Sequence, residues 1–528
     1  MKEVPNAVDV LVVGYGPVGA AVAALLGGYG INTLVIDKAP DILMAPRAIA
    51  LDNEALRILQ MVGLGENAFP KVAIPYVRML CPIVGEFGRV NSGGTIDGHP
   101  KLVTFYQPDL ERALRKKVAD RGSVQVCTSA EMLSAQEDER GFDVVIRFPS
   151  GAESTVRTRY LVGADGAGSV VRKLIGQDFE GKTYAEDWLI VDAKNVPGNF
   201  DHIEFICDPK RPTPHMVAPG GRIRWEFMLR PGETREQMES DETITRLLQP
   251  WARAGELKIE RKAVYRFHAR SCKRYSRGNA FLVGDAAHIT PPFVGQGLVA
   301  GLRDAANLSW KLAWVLKGRM SPVALETYDQ ERRPHATQMI ALAKLMGRLV
   351  MPSNKLMAIL IHGTMALLRR IPPLRNHFDE LGIKPKNEFS DGLFVKGQSR
   401  IRRGRVLPQG FVRSSSGQGL LSDDALGNGL TLVGFGQSPL PHLKATTLRK
   451  WESVGGLISQ INHRGGSDDE ADNVFEDLES RLLSSGQLYG WCAVVRPDRT
   501  VLHDGPISEA DRLVRESIEL LNPPGLRT

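Results

Sequence analysis

A strand, a glycine-rich turn and a helix open the chain. Val8 to Val13 (VDVLVV) is a short apolar run rich in β-branched residues, and Gly14-Tyr15-Gly16-Pro17-Val18-Gly19 follows it directly. Ala20 to Leu26 is helical in composition, and Thr33 to Ile36 reads as a second strand ending at Asp37. Strands that are apolar almost throughout suit a parallel sheet covered on both faces. The three glycines have separable duties. Gly14 permits the tight turn, Gly16 lets the backbone approach a pyrophosphate, and Gly19 lets helix and strand pack closely. The helix N-terminus then aims free N–H groups at the anion. Asp37, 18 residues beyond Gly19, stands where a carboxylate accepts from ribose hydroxyls. A bare GxGxxG also occurs as an ordinary glycine-rich turn in unrelated α/β proteins. With strand, helix and acid all in place, the reading is a dinucleotide site.

The motif alone does not separate NAD from FAD, but the rest of the chain bears on the choice. Gly163-Ala164-Asp165-Gly166-Ala167-Gly168-Ser169 follows a strand and precedes Val170-Val171-Arg172. Further on comes Gly278-Asn279-Ala280-Phe281-Leu282-Val283-Gly284-Asp285-Ala286-Ala287-His288. Each places an Asp beside Gly at the end of a strand, where a carboxylate meets sugar hydroxyls and the backbone comes close to a ligand. Between them, WLIVDA, HIEFI, RIRWEFML and AVYRFHA read as a separate, mostly antiparallel sheet, as SVQVC, DVVIRF and TRYLVGADG read as strands before it. Two such sites beside a dinucleotide fold point to an extended cofactor lying across a domain junction. There is no second complete GxGxxG, and without a CxxC the chain lacks the sulfurs of a dithiol reductase.

Beyond the third motif a long amphipathic helix is expected from Gly297 to Lys317, closed by Gly318 as a C′ residue. Helices dominate from Pro322 to Arg370, and Pro372-Pro373 ends that run. In the tail, Leu430 to Phe435 reads as a strand. Val474, Phe475, Leu478 and Leu482 read as one helical face closed by Gly486, with the acidic stretch Asp468 to Glu479 as a solvated helix start. Trp491 to Val495, Pro497-Asp498 and Thr500 to Leu502 read as a hairpin, and Ile507 to Leu521 as a last helix. The expected domains are 1–178 and 276–393 for the two parts of a cofactor domain, 179–275 for a β-rich substrate domain, and 394–528 for a C-terminal domain.

Composition excludes some partners. The 67 Lys and Arg exceed the 60 Asp and Glu by only +7 over 528 residues, a weak basis for nucleic-acid binding. Five cysteines (Cys81, Cys127, Cys207, Cys272, Cys492) stand apart without metal-ligand spacing, so no metal site is expected. Their sparseness fits a reducing compartment, and no basic n-region followed by a signal-length apolar core is seen. The apolar stretch Leu356 to Leu368 is too short to span a bilayer. A cytoplasmic protein with no membrane span is expected, and a homodimer is left open.

The three motifs together resemble those of the FAD-dependent aromatic hydroxylases, the single-component (group A) flavoprotein monooxygenases. The resemblance continues through PRAIALDNEALRILQMVGL, GDAAHITPPFVGQG, RDAANLSWKL, CDPKRP, RWEFMLRPGET and YDQERRPHA, over roughly residues 8–395. It is strongest to the branch acting on 3-(3-hydroxyphenyl)propionate. It implies an α/β fold with a Rossmann-type FAD domain, an inserted antiparallel substrate domain, and a thioredoxin-like C-terminal domain. That last domain here lacks the redox cysteine pair, Cys492 being alone.

By this resemblance, NAD(P)H reduces FAD, and reduced flavin with O₂ forms a C4a-hydroperoxide that hydroxylates a phenol in aromatic catabolism. A nitrocatechol, a polyketide-type ring, a ketone, or flavin binding without turnover are the alternatives. The resemblance also assigns residues. Gly14, Gly16 and Gly19 cradle the pyrophosphate and Asp37 the adenosine ribose. Arg47 and Gln107 lie near the phosphates and ribityl chain, Asp285 at the ribityl chain, Gly284 at the cofactor, and Asp165 at FAD and nicotinamide nucleotide. Pro292, Gly295, Gly297, Leu298 and Val299 line the isoalloxazine. Many relatives carry Asn where this chain has Val299, so only backbone contacts survive there.

The catalytic base is not named by these motifs. His215, Arg224, Tyr265 and His268, with Arg270, lie on the β-rich insertion and are candidates to meet a phenol or carboxylate. Strand residues alternate faces, so about half of them should point away. His288 is read as holding the loop of its motif.

Overall fold

A computed structural model describes residues 4–198, 200–253, 255–379, 384–465, 473–483 and 488–523. Ala7–Val13 is an interior strand of an eight-stranded sheet, six of whose strands run in the order Val124–Thr128, Thr33–Asp37, Ala7–Val13, Glu153–Gly163, Gly141–Arg147, Glu131–Asp138, with Ala280–Leu282 beside Glu153–Gly163 and Ser276–Arg277 beside Ala280–Leu282. Its last four residues are buried, as expected of a strand covered on both faces. The helix Pro17–Gly28 follows, with Ala20 to Ala24 wholly buried.

The decisive feature is register. Ala7–Val13 runs parallel to Glu153–Gly163, which runs parallel to Ala280–Leu282, and Val13, Gly163 and Leu282 stand side by side. Three strands therefore end together, and the segments that leave them are the glycine-rich turn and the two Gly/Asp motifs. Sequence separations of well over a hundred residues collapse to neighbouring strand ends. The crevice beyond the carboxyl ends of such strands is where ligands bind in open α/β sheets.

A second eight-stranded sheet is ordered His288–Ile289, Lys258–Cys272, Phe179–Lys194, Arg222–Met228, Thr213–Ala218, Ile203–Ile206, Tyr76–Cys81, Gly85–Asn91. All of its pairs are antiparallel except Ile203–Ile206 with Tyr76–Cys81. The expected antiparallel sheet is present, and it also takes in strands at 76–91 and 213–218 that the sequence reading left out. Strand alternation splits its side chains between two apolar layers. Leu189, Val191, Trp225 and Phe227 pack with Met238, Ile244 and Leu248 of two short helices. Trp188 and Phe267 face the other way, with Phe293, Met79 and Phe87.

The helix expected from Gly297 spans Gly297–Leu316, and Gly318 adopts φ +67° just beyond it. Pro372-Pro373 does not simply end the helical run: Lys355–Leu368 stops before it, and Pro372 starts a further helix, Pro372–Asp379. Proline suits a first helical position because the N–H it lacks would be unpaired there.

The chain divides into two units. The one described so far comprises the residues up to Ala23, Leu34–Leu302 and Ala336–Pro385; the other comprises Ala24–Thr33, Arg303–His335 and the residues from Lys386 onward. The second unit holds a seven-stranded mixed sheet, in which Leu430–Phe435, Gly456–His463 and Val474–Asp477 are parallel neighbours. Trp491–Val495 and Val501–Pro506 form the expected hairpin, and Ala510–Leu521 the last helix.

Val474–Asp477 corrects the helix expected there. Val474 and Phe475 are buried between Gly456–His463 and Phe411–Ser414, and the buried Asp477 carboxylate accepts from the N–H groups of Leu482 and Leu483 at 2.7 and 3.0 Å. That bond turns the chain where a helix would have continued. Four apolar positions fit either period, and only the neighbouring strands decide between them. The start of the acidic stretch at Asp468, and Gly486, lie outside the described residues.

The second unit also buries a charge cluster. Arg496 Nη1 and Nη2 donate to Glu331 Oε1 and Oε2 at 2.7 and 2.9 Å, and Lys311 Nζ donates to Glu331 Oε2 at 2.8 Å. Asp498 takes a further Arg496 bond at 2.5 Å, and the Leu393 N–H donates to Glu331 at 2.7 Å. Glu331, Lys311 and Arg496 are fully enclosed. Burial opposes the Glu331 charge, but Arg496 and Lys311 outweigh it and hold the carboxyl below its usual range. Cys492 is buried, and that burial pushes its thiol up to about 12.

Candidate functional site

The three strand ends bring the segments that follow them together. Gly14, at φ +105°, donates its N–H to Ile36 O at 2.8 Å, and a Cβ there would stand 2.4 Å from Ala164 O. A Cβ on Gly19 would stand 2.0 Å from Gly14 O. These two glycines are demanded by backbone that comes too close for any side chain. At Gly16 a Cβ would meet nothing within 4 Å. Its missing side chain leaves room at a helix N-terminus, where unpaired N–H groups attract an anion.

Asp37 ends its strand with both carboxylate oxygens in place. Oδ2 accepts from Tyr15 N at 2.6 Å and Oδ1 from Ala39 N at 2.7 Å. Each oxygen keeps capacity for another donor. Arg115, which the sequence reading missed, donates to Tyr15 O at 3.0 Å and lies 4.5 Å from the centre of the Tyr15 ring. Burial pushes the Tyr15 phenol up to about 12 against the opposing charge of Arg115.

Asp165 Oδ2 caps the helix Val170–Leu174 by accepting from Val170 N at 2.7 Å and Val171 N at 3.3 Å. Its Oδ1 is buried without a hydrogen-bond partner among the described residues. Gly166 and Gly168 leave open space beside it. Arg172 ties this motif to the third, donating to Ala167 O at 2.7 Å and Ala286 O at 3.2 Å while stacking on Phe179. Gly284 takes φ +59° against Val18, and Gly301 brings the helix Gly297–Leu316 against the same side chain. The Asp285 side chain is 41% exposed and 3.9 Å from Arg47. Desolvation by the surrounding walls raises its carboxyl, and Arg47 opposes the shift.

The loop at 46–48 is held from two sides. The N–H groups of Arg47 and Ala48 both donate to Gln107 Oε1 at 2.9 Å, and Gln107 Nε2 donates to Glu111 at 2.8 Å. From the other side Arg224 donates to Arg47 O at 3.0 Å and Pro46 O at 3.2 Å, and twice to Asp192 at 2.7 and 3.0 Å. Arg261 adds bonds to Pro46 O and Asp192 and donates to Tyr265 Oη at 2.6 Å. Burial disfavours the Asp192 charge, but Arg224 and Arg261 outweigh it and keep the carboxyl below its ordinary range. Arg224 is thus spent on a strut, while the 63% exposed Arg47 side chain stands beside Asp285.

The remaining candidates separate by position. Tyr265 lies on the face of Lys258–Cys272 that carries Phe267, in the layer holding Trp188 and Phe293. His268 falls on the opposite face, 3.1 Å from Thr183 Oγ1. Burial, then Arg270, lowers its pKa. Arg270 also bonds Thr183. His215 is buried between Phe200 and Trp251, its Nε2 3.0 Å from Glu204. His288 is buried in its short strand against Tyr275, as a loop-holding residue would be.

Pro292 begins the turn Pro292–Val294, Gly295 takes φ +62°, and Gln296 donates to Asp52 at 3.1 Å. Gly297 and Leu298 open the following helix, half-buried. Val299 is wholly buried, so its side chain faces protein.

An orphaned buried carboxylate oxygen, a strand-end Asp with acceptor capacity to spare and an open glycine position at a helix N-terminus fit an adenine dinucleotide. The class is a flavin-type α/β oxidoreductase, and three comparisons make it specific. The model of the FAD binding domain family matches residues 7–343, and that of the HcaD C-terminal domain matches residues 404–519. The 3-(3-hydroxy-phenyl)propionate/3-hydroxycinnamic acid hydroxylase of Shigella sonnei is 33% identical, covering 94% of this chain and 92% of its own. A protein of the same description from Burkholderia vietnamiensis is also 33% identical, covering 94% and 93%. Among solved structures, the flavin-dependent monooxygenase PieE, in complex with FAD and substrate, superposes with TM-score 0.81 at 21% identity over 98% of this chain and 99% of that one. Aklavinone-11 hydroxylase, with FAD and aklavinone, gives 0.77 at 20% identity over 98% and 100%. The chain belongs to the FAD-dependent aromatic hydroxylase family.

Because one carboxylate anchors both arginines of the strut, Asp192→Asn is expected to loosen the 46–48 loop. FAD affinity should fall about tenfold, on a loss of roughly 1.5–3 kcal/mol for charged hydrogen bonds. Titration of apoprotein with FAD, read by flavin fluorescence, measures it.

Proposed function

We propose that this enzyme hydroxylates a phenol carrying a short acid side chain, with 3-(3-hydroxyphenyl)propionate and 3-hydroxycinnamate as first candidates. The observation that carries the reading is the aromatic layer at the Pro292–Val294 end of the site. Phe293 meets Trp188, Phe267 and Tyr184 with ring centres 5.8–5.9 Å apart. Such walls take a flat ring and exclude water. The names of the two relatives above support the choice of substrate.

In this reading Gly14, Gly16 and Gly19 seat the pyrophosphate, Asp37 bonds the adenosine ribose, and Asp165 and Asp285 face sugar or ribityl hydroxyls. Gln107 and Arg224 shape the loop from which Arg47 reaches the cofactor. Pro292, Gly295, Gly297, Leu298 and the Val299 backbone border the ring. FAD held by these residues would supply the redox chemistry, hydride acceptance from NADH or NADPH and activation of O₂. The chain orients the phenol, keeps water out, and stabilises its phenolate by hydrogen bonding. A phenol with pKa near 10 needs a hydrogen-bond partner to ionise near neutrality.

Of the four candidates, Tyr265 is favoured for that partner. It faces the aromatic layer, and its hydroxyl oxygen already accepts from Arg261, which leaves its O–H to donate. Tyr265→Phe is expected to lower kcat by about a hundredfold, the scale of a lost acid–base group, with flavin retention unchanged; stopped-flow absorbance separates the two. Five free cysteines, four of them buried, support a cytoplasmic enzyme.

The test is NADH and NADPH oxidation, O₂ uptake and product mass across a panel of phenols. A catechol one oxygen heavier, formed from the propionate substrate with stimulated oxidation, supports the reading. Bound FAD with no phenol stimulating turnover would sink it.

A further inference from the structure

Two consecutive helices leave an apolar face uncovered. In Lys355–Leu368, Leu356 is 79%, Leu360 63% and Leu367 61% exposed, and Ile359, Ile371 and Leu374 are also open. Positions 356, 360 and 367 recur on one side at helical spacing. Gly363 lies between them, and a Cβ there would meet nothing within 4 Å. The inner side is apolar too: Ala358 and His362 are buried, the His362 ring stacks on Phe87 at 3.9 Å, and its Nε2 donates to Leu349 O at 2.8 Å. A helix apolar all round belongs inside a protein or against lipid.

Charge decides which occupant suits the open face. From 336 to 378 the chain carries Lys344, Arg348, Lys355, Arg369, Arg370 and Arg375 and no Asp or Glu. Arg369 is engaged by Glu86 and Asp379 at 3.4 and 3.3 Å. Arg348, Lys355, Arg370 and Arg375 are exposed. A second copy docked on this face would set those cations against their own kind. An anionic lipid surface accepts both the leucines and the charges.

We propose that Lys355–Leu368 and Pro372–Asp379 form a membrane-surface anchor. The leucine face enters the headgroup–acyl boundary, and the flanking Lys and Arg meet anionic headgroups. At about 1.5 Å per residue the longer helix measures about 21 Å, short of the ~30 Å hydrocarbon core, so it lies in the plane. Among the described residues no helix is long and apolar enough to cross a membrane. The same helix lends Ala358, Met365 and Ala366 to the apolar cluster of Phe267 and Phe293, so the lipid-facing surface backs onto the aromatic layer.

Flotation of the FAD-loaded enzyme with vesicles tests this. Vesicles of phosphatidylcholine containing a quarter phosphatidylglycerol should carry the enzyme, and pure phosphatidylcholine should carry much less. The L356D/L360D variant should bind about tenfold less, given the energy of burying two leucines. The R370E/R375E variant should lose binding to the anionic vesicles, as should the parent at high salt. Flavin content and vesicle-free NAD(P)H oxidation should be unchanged in both variants, which separates lost docking from lost folding. Absence of flotation with the anionic vesicles overturns the proposal, as does undiminished flotation of both variants. A solution dimer dissociated by L356D/L360D, without vesicle binding, also overturns it and assigns the face to a second copy.

Discussion

Gly19→Val is expected to yield a colourless protein without bound FAD and without NAD(P)H oxidation. A Cβ at this position would stand 2.0 Å from Gly14 O, 3.0 Å from Gly14 C and 3.2 Å from the Ala164 side chain. Two of these atoms are backbone, in a turn that is itself confined, since a Cβ on Gly14 would stand 2.4 Å from Ala164 O. No rotamer relieves the clash, so the helix Pro17–Gly28 must shift away from the strand ends. Overpacking of this kind costs about 1–3 kcal/mol, and the shift carries away the N–H groups aimed at the pyrophosphate. Gly16→Ala is the informative contrast. Its added methyl meets no protein atom, so folding should be normal while FAD affinity falls, because the methyl occupies the approach to the pyrophosphate. The ratio of flavin to protein absorbance, with melting of the apoproteins, distinguishes the outcomes. A yellow, fully loaded Gly19→Val would defeat the argument.

The second large effect is expected at Glu331. Its carboxylate is the shared acceptor for Lys311 and Arg496, all three without solvent exposure. Glu331→Gln leaves two buried cations with Asp498 as their remaining carboxylate partner among the described residues. Breaking a buried pair from one side costs about 3–5 kcal/mol, which corresponds to roughly 10 °C in the melting of a unit of this size.

The pH dependence gives a signature. The Glu331 pKa is depressed below 4.5 in the folded state, so its contribution is present above that value and is lost as pH falls through and below it. The melting gap between parent and variant should therefore narrow in acid. Burial lowers the Lys311 pKa to about 8, Glu331 opposing that shift and Arg496 adding to it. Between that value and 10.5 the unfolded chain binds more protons, so this lysine makes stability rise with pH there. Calorimetry across pH checks both limbs. A variant melting within a degree or two of the parent would show that the cluster is energetically neutral.

Much of this was legible in the residues. Gly14, Gly16 and Gly19 differ in what the pattern asks of them, and the backbone differs there too: a positive-φ turn, an open position and a close backbone contact. The strands around the motifs and the helix after Gly297 also stand where the apolar patterns put them. Misplaced elements share a cause. Val474 to Leu482 reads as a helix because four apolar residues fit two periods, and the strands beside them choose the other one. The strands at 76–91 carry no local sign that they join a sheet built mostly from residues a hundred positions later.

The candidates divide in the same way. Arg224 and Tyr265 looked alike in sequence, two polar residues on neighbouring strands. Only packing shows that one is locked to Asp192 and the loop at 46–47, while the other faces the aromatic layer. Arg115 and Arg261 are single charged residues outside any motif and carry no positional signal, and nothing local tells that Arg172 and Asp192 tie distant segments together.

Local residue patterns are enough to encode a dinucleotide turn, two Gly/Asp strand ends, and the family they belong to. Those depend on backbone geometry over a few residues, where only glycine or a carboxylate will serve. Tertiary structure alone decided that Val13, Gly163 and Leu282 end together, that Arg224 is a strut, and that Glu331 gathers its cations. Those facts depend on which distant strands pair, and the energy that selects the pairing is spread over the whole core.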